Sequence, residues 1–78
     1  MYWIDESEPV RYTGTSRQVS FYMDSDADVS SLPGIDRYGV QQGDDTVSCK
    51  PVGKGSSALS IDSSTLFFLN SNDQWKPV

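Results

Sequence analysis

The chain has 78 residues, one cysteine and no histidine, and this combination limits how it can hold a fold together. A domain of this size buries only about 60% of the surface that its unfolded chain exposes, so small domains often add a disulfide or a metal. Cys49 has no second cysteine to pair with, and a closed zinc site needs four ligands drawn mainly from cysteine and histidine. We therefore predict one domain over residues 1–78, with no cofactor or metal, supported by an apolar core or a partner surface.

The charge of the chain is acidic and unevenly placed. Eleven acidic and six basic side chains give a formal net charge of −5, and residues 1–45 hold nine of the eleven acids. Proteins that bind a phosphate backbone present clustered lysine and arginine, whereas the basic residues here are scattered. We therefore expect no nucleic-acid partner, and a basic protein surface would suit the acidic half.

No segment has the pattern of a membrane or secretory sequence. The longest apolar run covers residues 66–69, whereas a membrane-spanning helix needs about 20 apolar residues. Residues 1–6 lack both the basic and the apolar region of a signal peptide. We expect a protein that is made in a cytoplasm, contacts no membrane and keeps its cysteine reduced.

Alternating hydrophobicity predicts a mainly β fold, either a small antiparallel sheet or a sandwich or barrel-like domain. Residues 19–23 alternate with period two, which places Val19, Phe21 and Met23 on one face of a strand. Residues 1–17 are expected to form a peripheral strand or arm, with short strands at residues 2–4 and around residues 11–12.

Residues 56–78 are predicted to form a three-stranded β-meander. Its strands are expected at residues 58–61, 65–69 and 75–78, joined by two polar turns. Residues 66–69 are all apolar, which is typical of a middle strand that is covered on both faces. Pro77 cannot donate a ladder hydrogen bond, so the last strand should lie at an edge.

One short helix is predicted near residues 25–32. Ser25 is the expected N-cap and Asp28, three residues on, is its capping-box partner. Pro33 and Gly34 should end the helix. The stretch from Gly34 to Gly55 carries five of the six glycines and is expected to be rich in loops.

Asp24, Asp26 and Asp28 have the spacing that opens an EF-hand calcium loop. That loop needs glycine next and glutamate at its twelfth position, where this chain has Val29 and Ile35. The aspartates are therefore interpreted as residues that favour a helix N-terminus.

No catalytic arrangement emerges from the remaining polar residues. Residues 53–57 resemble a phosphate-binding loop, but Ser48 stands where the motif needs glycine and the segment leads into a strand. Nucleophilic catalysis usually needs a histidine to activate serine or cysteine. Asp44 and Asp45 are expected in a solvated turn, and we predict that the chain is not an enzyme.

The nine aromatic residues divide into predicted core and predicted surface. Four are assigned to the core: Phe21, Phe67, Phe68 and Trp75. Tyr2 is assigned to neither group. The candidate interaction residues are Trp3, Tyr12, Tyr22 and Tyr38, because tyrosine and tryptophan often anchor protein interfaces. The alternative is that these four are partly exposed aromatics without a role.

Four segments follow a known pattern, and the resemblance that they carry covers about residues 18–78. They read YMDSDADVSSLP at residues 22–33, GVQQG at 39–43, GSSA at 55–58 and LNSNDQW at 69–75. The pattern resembles small uncharacterised proteins of tailed bacteriophages and prophages, whose genes tend to lie in the virion structural module. The resemblance implies a virion accessory protein of the head, neck or tail, made in the bacterial host, which docks on a larger phage structural protein, on itself, or on both.

A second function fits the same acidic composition. A small phage-encoded inhibitor would occupy a basic groove of a host defence protein by mimicking nucleic acid. The two hypotheses differ in location, because a virion component purifies with particles and an inhibitor stays in the infected cytoplasm.

Overall fold

The computed structural model describes residues 1–13 and 16–78, and it confirms a mainly β fold with one short helix. Along the chain the elements are β1 (Tyr2–Ile4), β2 (Arg11–Thr13), β3 (Ser16–Gln18), β4 (Ser20–Met23), a 3₁₀ helix (Asp26–Ser31), β5 (Ser57–Ser60), β6 (Thr65–Leu69) and β7 (Trp75–Pro77). Five strands form one sheet in the order β1-β4-β5-β6-β7, and β2 pairs with β3 in a second sheet. The predicted N-terminal strands and the C-terminal meander are both present.

The main sheet is mixed. β1 pairs with β4 antiparallel, and β5, β6 and β7 form an antiparallel meander. β4 and β5 are parallel, and a parallel pair needs a crossover connection that returns the chain to the same end of the sheet. Residues 24–56 form this crossover, which contains the 3₁₀ helix and the predicted loop-rich stretch.

The core lies between one face of the main sheet, here called the inner face, and the crossover. Alternate residues of the strands supply most of it, and the crossover adds Leu32 and Val52. The buried cluster comprises Tyr2, Val19, Phe21, Met23, Leu32, Val52, Ala58, Phe67 and Leu69. The predicted burial of Val19, Phe21 and Met23 on one face is therefore confirmed, and Tyr2 belongs to the core.

The short helix begins as its sequence predicts. The Asp28 carboxylate accepts a hydrogen bond from the Ser25 backbone N–H at 3.1 Å. This bond satisfies a donor that the first helical turn leaves without a partner. The helix ends at Ser31, and Leu32 after it is fully buried in the core.

The turn between β6 and β7 holds the crossover against the sheet. The Asp73 carboxylate accepts a hydrogen bond from the Ile35 backbone N–H at 2.9 Å and lies 3.4 Å from Nε of Arg37. These contacts, led by the Ile35 bond, hold the pKa of Asp73 below its usual value. The Trp75 indole N–H donates to the Pro33 carbonyl at 3.1 Å, so two residues of one short segment hold the same loop.

Two sequence predictions are wrong: Phe68 is not a core residue, and the strand at residues 66–69 is not covered on both faces. Phe67 is 7% exposed on the inner face, whereas Phe68 is 42% and Leu66 is 37% exposed on the opposite face. Trp75 is half-buried, and its ring meets that of Phe21 edge to face at 6.2 Å. The reason is architectural, because the helix and the crossover both pack on the inner face and the described residues provide no second layer.

Phe67→Ala should destabilise the domain far more than Phe68→Ala. Truncation of a buried phenylalanine typically costs about 3 to 5 kcal/mol, out of a total of about 5 to 15 for a whole domain. The side chain of Phe68 already contacts solvent, so its loss should leave the urea midpoint close to that of the parent. Equal losses of stability in the two variants would show that the outer side of β6 is covered in the isolated chain.

Candidate interaction surface

The face of the main sheet opposite the core carries an apolar row that crosses four strands. The register places Trp3 beside Tyr22, Tyr22 beside Leu59, and Leu59 beside Leu66. Trp3 is 39% exposed, and the Trp3 and Tyr22 rings lie 6.1 Å apart between centroids. Tyr22 and Leu59, the two middle residues of the row, are half-buried.

A second row runs beside the first and is more polar. It contains Ser20, Ser57, Phe68 and Lys76 in successive strands. The Ser57 hydroxyl donates to the Ser20 hydroxyl at 3.3 Å. Phe68 extends the apolar surface of Leu66, and Lys76 supplies a positive charge at the β7 edge. The two rows together are called the outer face.

A groove of about 600 Å³ lies where the outer face meets the β1 edge. It is lined by Trp3, Ile4, Asp5, Glu6, Tyr22, Asp45 and Val47. This β1-edge groove therefore combines two aromatic side chains with three carboxylates, and its lining contains no lysine or arginine. A shallower groove of about 180 Å³ shares Asp5 and Tyr22 with it and continues over the outer face to Leu66.

Hydrogen bonds keep two of these carboxylates ionised. The Ser7 hydroxyl donates to Asp5 at 2.6 Å and is the main cause that lowers the pKa of Asp5. The pKa of Asp45 is lowered by the Val47 and Ser48 backbone N–H groups, which lie 2.9 and 3.3 Å from one carboxylate oxygen. The exposed turn predicted at Asp45 is confirmed, and it presents negative charge to the groove at neutral pH.

The loop that forms the far wall of the groove is tied to β1 through Tyr2. The buried Tyr2 hydroxyl donates to the Val40 carbonyl at 2.8 Å. With its nitrogen facing the Tyr2 carbonyl, the Gln42 side-chain amide donates to that carbonyl at 2.7 Å and accepts from the Tyr2 N–H at 3.2 Å. One residue of β1 thus fixes the position of a loop 40 residues away in the sequence.

The structure brings together two of the four candidate interaction residues. Trp3 and Tyr22 are neighbours on the outer face and both line the β1-edge groove. Tyr12 lies on β2 of the second sheet and Tyr38 on the crossover loop, both largely exposed, and neither lines the groove. Sequence reasoning missed Val47, because only the folded crossover brings it to β1.

The motifs weighed as ion sites adopt structural roles. Asp24 and Asp28 lie 3.7 and 2.7 Å from the amino group of Met1. Across residues 1–13 and 16–78, no group of three or more His, Cys, Asp or Glu side chains is arranged to hold a metal ion. Gly55 has a φ of +89°, a conformation that glycine adopts readily, and turns the chain into β5 as predicted. In the described part of the chain, no helix has the length and apolar character required to cross a membrane.

Tyr2→Phe should reduce the loss of folding stability that the domain undergoes at alkaline pH. Burial raises the pKa of Tyr2 to about 12, and the ordinary value of tyrosine is about 10. The folded state holds the Tyr2 hydroxyl proton more tightly than the unfolded state does. The resulting contribution to folding stability is therefore complete below about pH 10 and is lost as the pH rises towards 12. Melting temperatures between pH 8 and 12 should fall less steeply for Tyr2→Phe than for the parent. Tyr12→Phe, at an exposed site, should follow the parent, and identical slopes for all three proteins would contradict the burial of Tyr2.

Comparisons with models of protein families, with curated proteins and with solved structures find no match for this chain. The candidate interaction surface is therefore defined by the geometry of this chain alone. It consists of the outer face and the β1-edge groove, which share Trp3 and Tyr22.

Proposed function

We propose that this chain is a non-enzymatic accessory protein of a tailed-bacteriophage virion that docks on a larger structural protein through its outer face. The observation that carries the proposal is the uncovered apolar row formed by Trp3, Tyr22, Leu59 and Leu66, extended by Phe68. Contiguous apolar patches on small soluble domains commonly mark interaction sites.

The side chains in this row are of the kinds that contribute most to protein binding. Removal of apolar surface from water is the dominant favourable contribution in most protein association, and tryptophan and tyrosine are enriched among the residues that dominate binding energy. Trp3 and Tyr22 already contact one another, so little side-chain freedom remains to be lost when a partner covers them. The geometry therefore favours docking by a preformed surface.

The virion setting rests on the resemblance of residues 18–78 to small proteins of phage structural modules. A virion offers many copies of a larger structural protein, so a small domain can be bound repeatedly around a symmetric particle. Partner binding also stabilises the folded state by mass action, which suits a chain without a disulfide. The protein would be made in the host cytoplasm and retained in the particle, in the head, neck or tail.

A second candidate is the acidic inhibitor of a host defence protein. The observation that favours it is the set of carboxylates from Asp5, Glu6 and Asp45 around one groove. In that function, neutralisation of the carboxylates should abolish binding, and affinity should collapse in moderate salt. In the virion function, loss of the apolar side chains should matter more than loss of charge.

The outer-face variant Leu66→Ser/Phe68→Ser should be lost from phage particles. Both side chains are already exposed, so the variant should fold with a melting temperature close to that of the parent. We expect mass spectrometry of purified particles to detect the parent chain and to find this variant depleted about tenfold or more, because each truncated anchor removes about 1 kcal/mol or more.

Val10→Ser/Val40→Ser is the matched control, since both valines are exposed and lie outside the outer face. It should remain in the particles at the level of the parent. Absence of the parent chain from purified particles would contradict the virion function. Equal incorporation of the two variants would contradict docking through the outer face.

A further inference from the structure

β1 is an edge strand, and its backbone groups alternate in direction along the strand. Asp5 donates its backbone N–H to the Ser20 carbonyl at 2.8 Å, and the Met1 carbonyl accepts from Asp24 at 3.0 Å. In an antiparallel ladder, every second residue turns its N–H and C=O towards the paired strand. Residues 1, 3 and 5 therefore face β4, and residues 2 and 4 present their backbone groups to the open edge.

One of these two edge positions is already occupied in the manner of a partner strand. In the orientation that satisfies both of its polar atoms, the Gln42 side-chain amide donates to the Tyr2 carbonyl and accepts from the Tyr2 N–H. A residue of a neighbouring antiparallel strand exchanges the same pair of hydrogen bonds. The edge of β1 can therefore form strand-like hydrogen bonds, and Gln42 occupies the outward backbone groups of Tyr2 only.

Ile4 is the next edge position, and it opens onto the β1-edge groove. Within the described residues, no loop or side chain forms a hydrogen bond with its outward N–H or C=O. Ile4 itself lines the groove, together with Trp3 and Val47 on either side. An extended segment that pairs with Ile4 would therefore place its alternate side chains in the groove.

The lining of the groove determines the chemistry of such a segment. Asp5, Glu6 and Asp45 supply three negative charges to the lining, which contains no basic residue. One positive charge lies beside it, since the Arg17 guanidinium donates to the Val47 carbonyl at 3.3 Å, and the acidic side chains outnumber it. Trp3 and Tyr22 supply aromatic faces, which attract the cationic groups of lysine and arginine. Carboxylates and aromatic faces both favour a basic side chain.

We propose that β1 binds an extended, lysine- or arginine-bearing protein segment by strand addition at Ile4, with basic side chains of the segment in the β1-edge groove. This inference rests on the proposed docking function and names the chemistry of the docked segment. The segment adds a sixth strand to the main sheet. The side chains that flank its Ile4-paired residue lie on the outer face and contact Trp3 and Asp5.

The test uses the full chain and a capped hexapeptide of alternating lysine and valine. Titration followed by amide NMR should shift the Ile4 resonance, and hydrogen exchange of the Ile4 N–H should slow in the complex. A peptide with glutamate in place of lysine should not bind.

Two further analogues of the lysine peptide test strand pairing. One carries N-methyl groups on every second backbone amide, and the other carries them on the remaining amides. Only one of these two sets of amides faces β1, and methylation removes its N–H donors. The analogue methylated on that set should bind about tenfold more weakly, and the other should bind like the unmodified peptide.

Glu6→Gln and Glu8→Gln distinguish binding in the groove from non-specific electrostatic attraction of a basic peptide to an acidic protein. Both glutamates are exposed and belong to the same turn, but Glu6 lines the β1-edge groove and Glu8 lines the smaller adjoining groove over the outer face. Glu6→Gln should weaken binding of the lysine peptide about two- to fivefold at low salt, and Glu8→Gln should change it less.

Equal weakening by both methylated analogues, or by neither, would overturn strand addition. Equal binding of the lysine and glutamate peptides, or an Ile4 resonance that does not shift, would overturn the assignment of the partner. These outcomes are independent of the particle experiment. A chain that is retained in virions through Leu66 and Phe68 but fails to bind the peptide keeps the proposed function and loses this inference.

Discussion

A β-sheet has two faces, and the connection between β4 and β5 can cover only one of them. Because β4 and β5 are parallel, that connection must cross the sheet, and residues 24–56 cross it on the side of Phe21. The burial of the inner face, and with it the core, depends on this crossover. The exposure of Leu66 and Phe68 follows from the same arrangement, since the described chain has no further layer for the outer face.

Two groups of long-range hydrogen bonds decide where the crossover lies, one from the last hairpin and one from β1. Asp73 and Trp75, from the last hairpin, bind backbone groups of Ile35 and Pro33 and hold the start of the loop on the inner face. Tyr2 holds a later part of the loop beside β1. That second contact brings acidic side chains next to an edge strand and so creates the β1-edge groove. Core packing and the candidate docking surface are therefore linked through β1.

Local patterns in the sequence predicted most of the strands and the helix start. The alternation of residues 19–23, the two polar turns of the meander and the Asp28 capping contact involve neighbours within a few residues. The exposure of Phe68 was not predictable in this way, because an all-apolar strand has the same sequence whether one or two layers cover it. The groove depends on long-range contacts, such as that of Gln42 with Tyr2, for which a single sequence carries no periodic signal.

We propose that the outer face is open in the isolated chain and covered by a partner in the assembled particle. Hydroxyl-radical footprinting measures this directly, with Phe67 as a buried reference beside Phe68 in the same strand. We expect Phe68 and Trp3 to be oxidised readily in the isolated protein and protected in purified particles, while Phe67 is protected in both. Protection of Phe68 in the isolated monomer, or equal oxidation of Phe68 in both states, would contradict it.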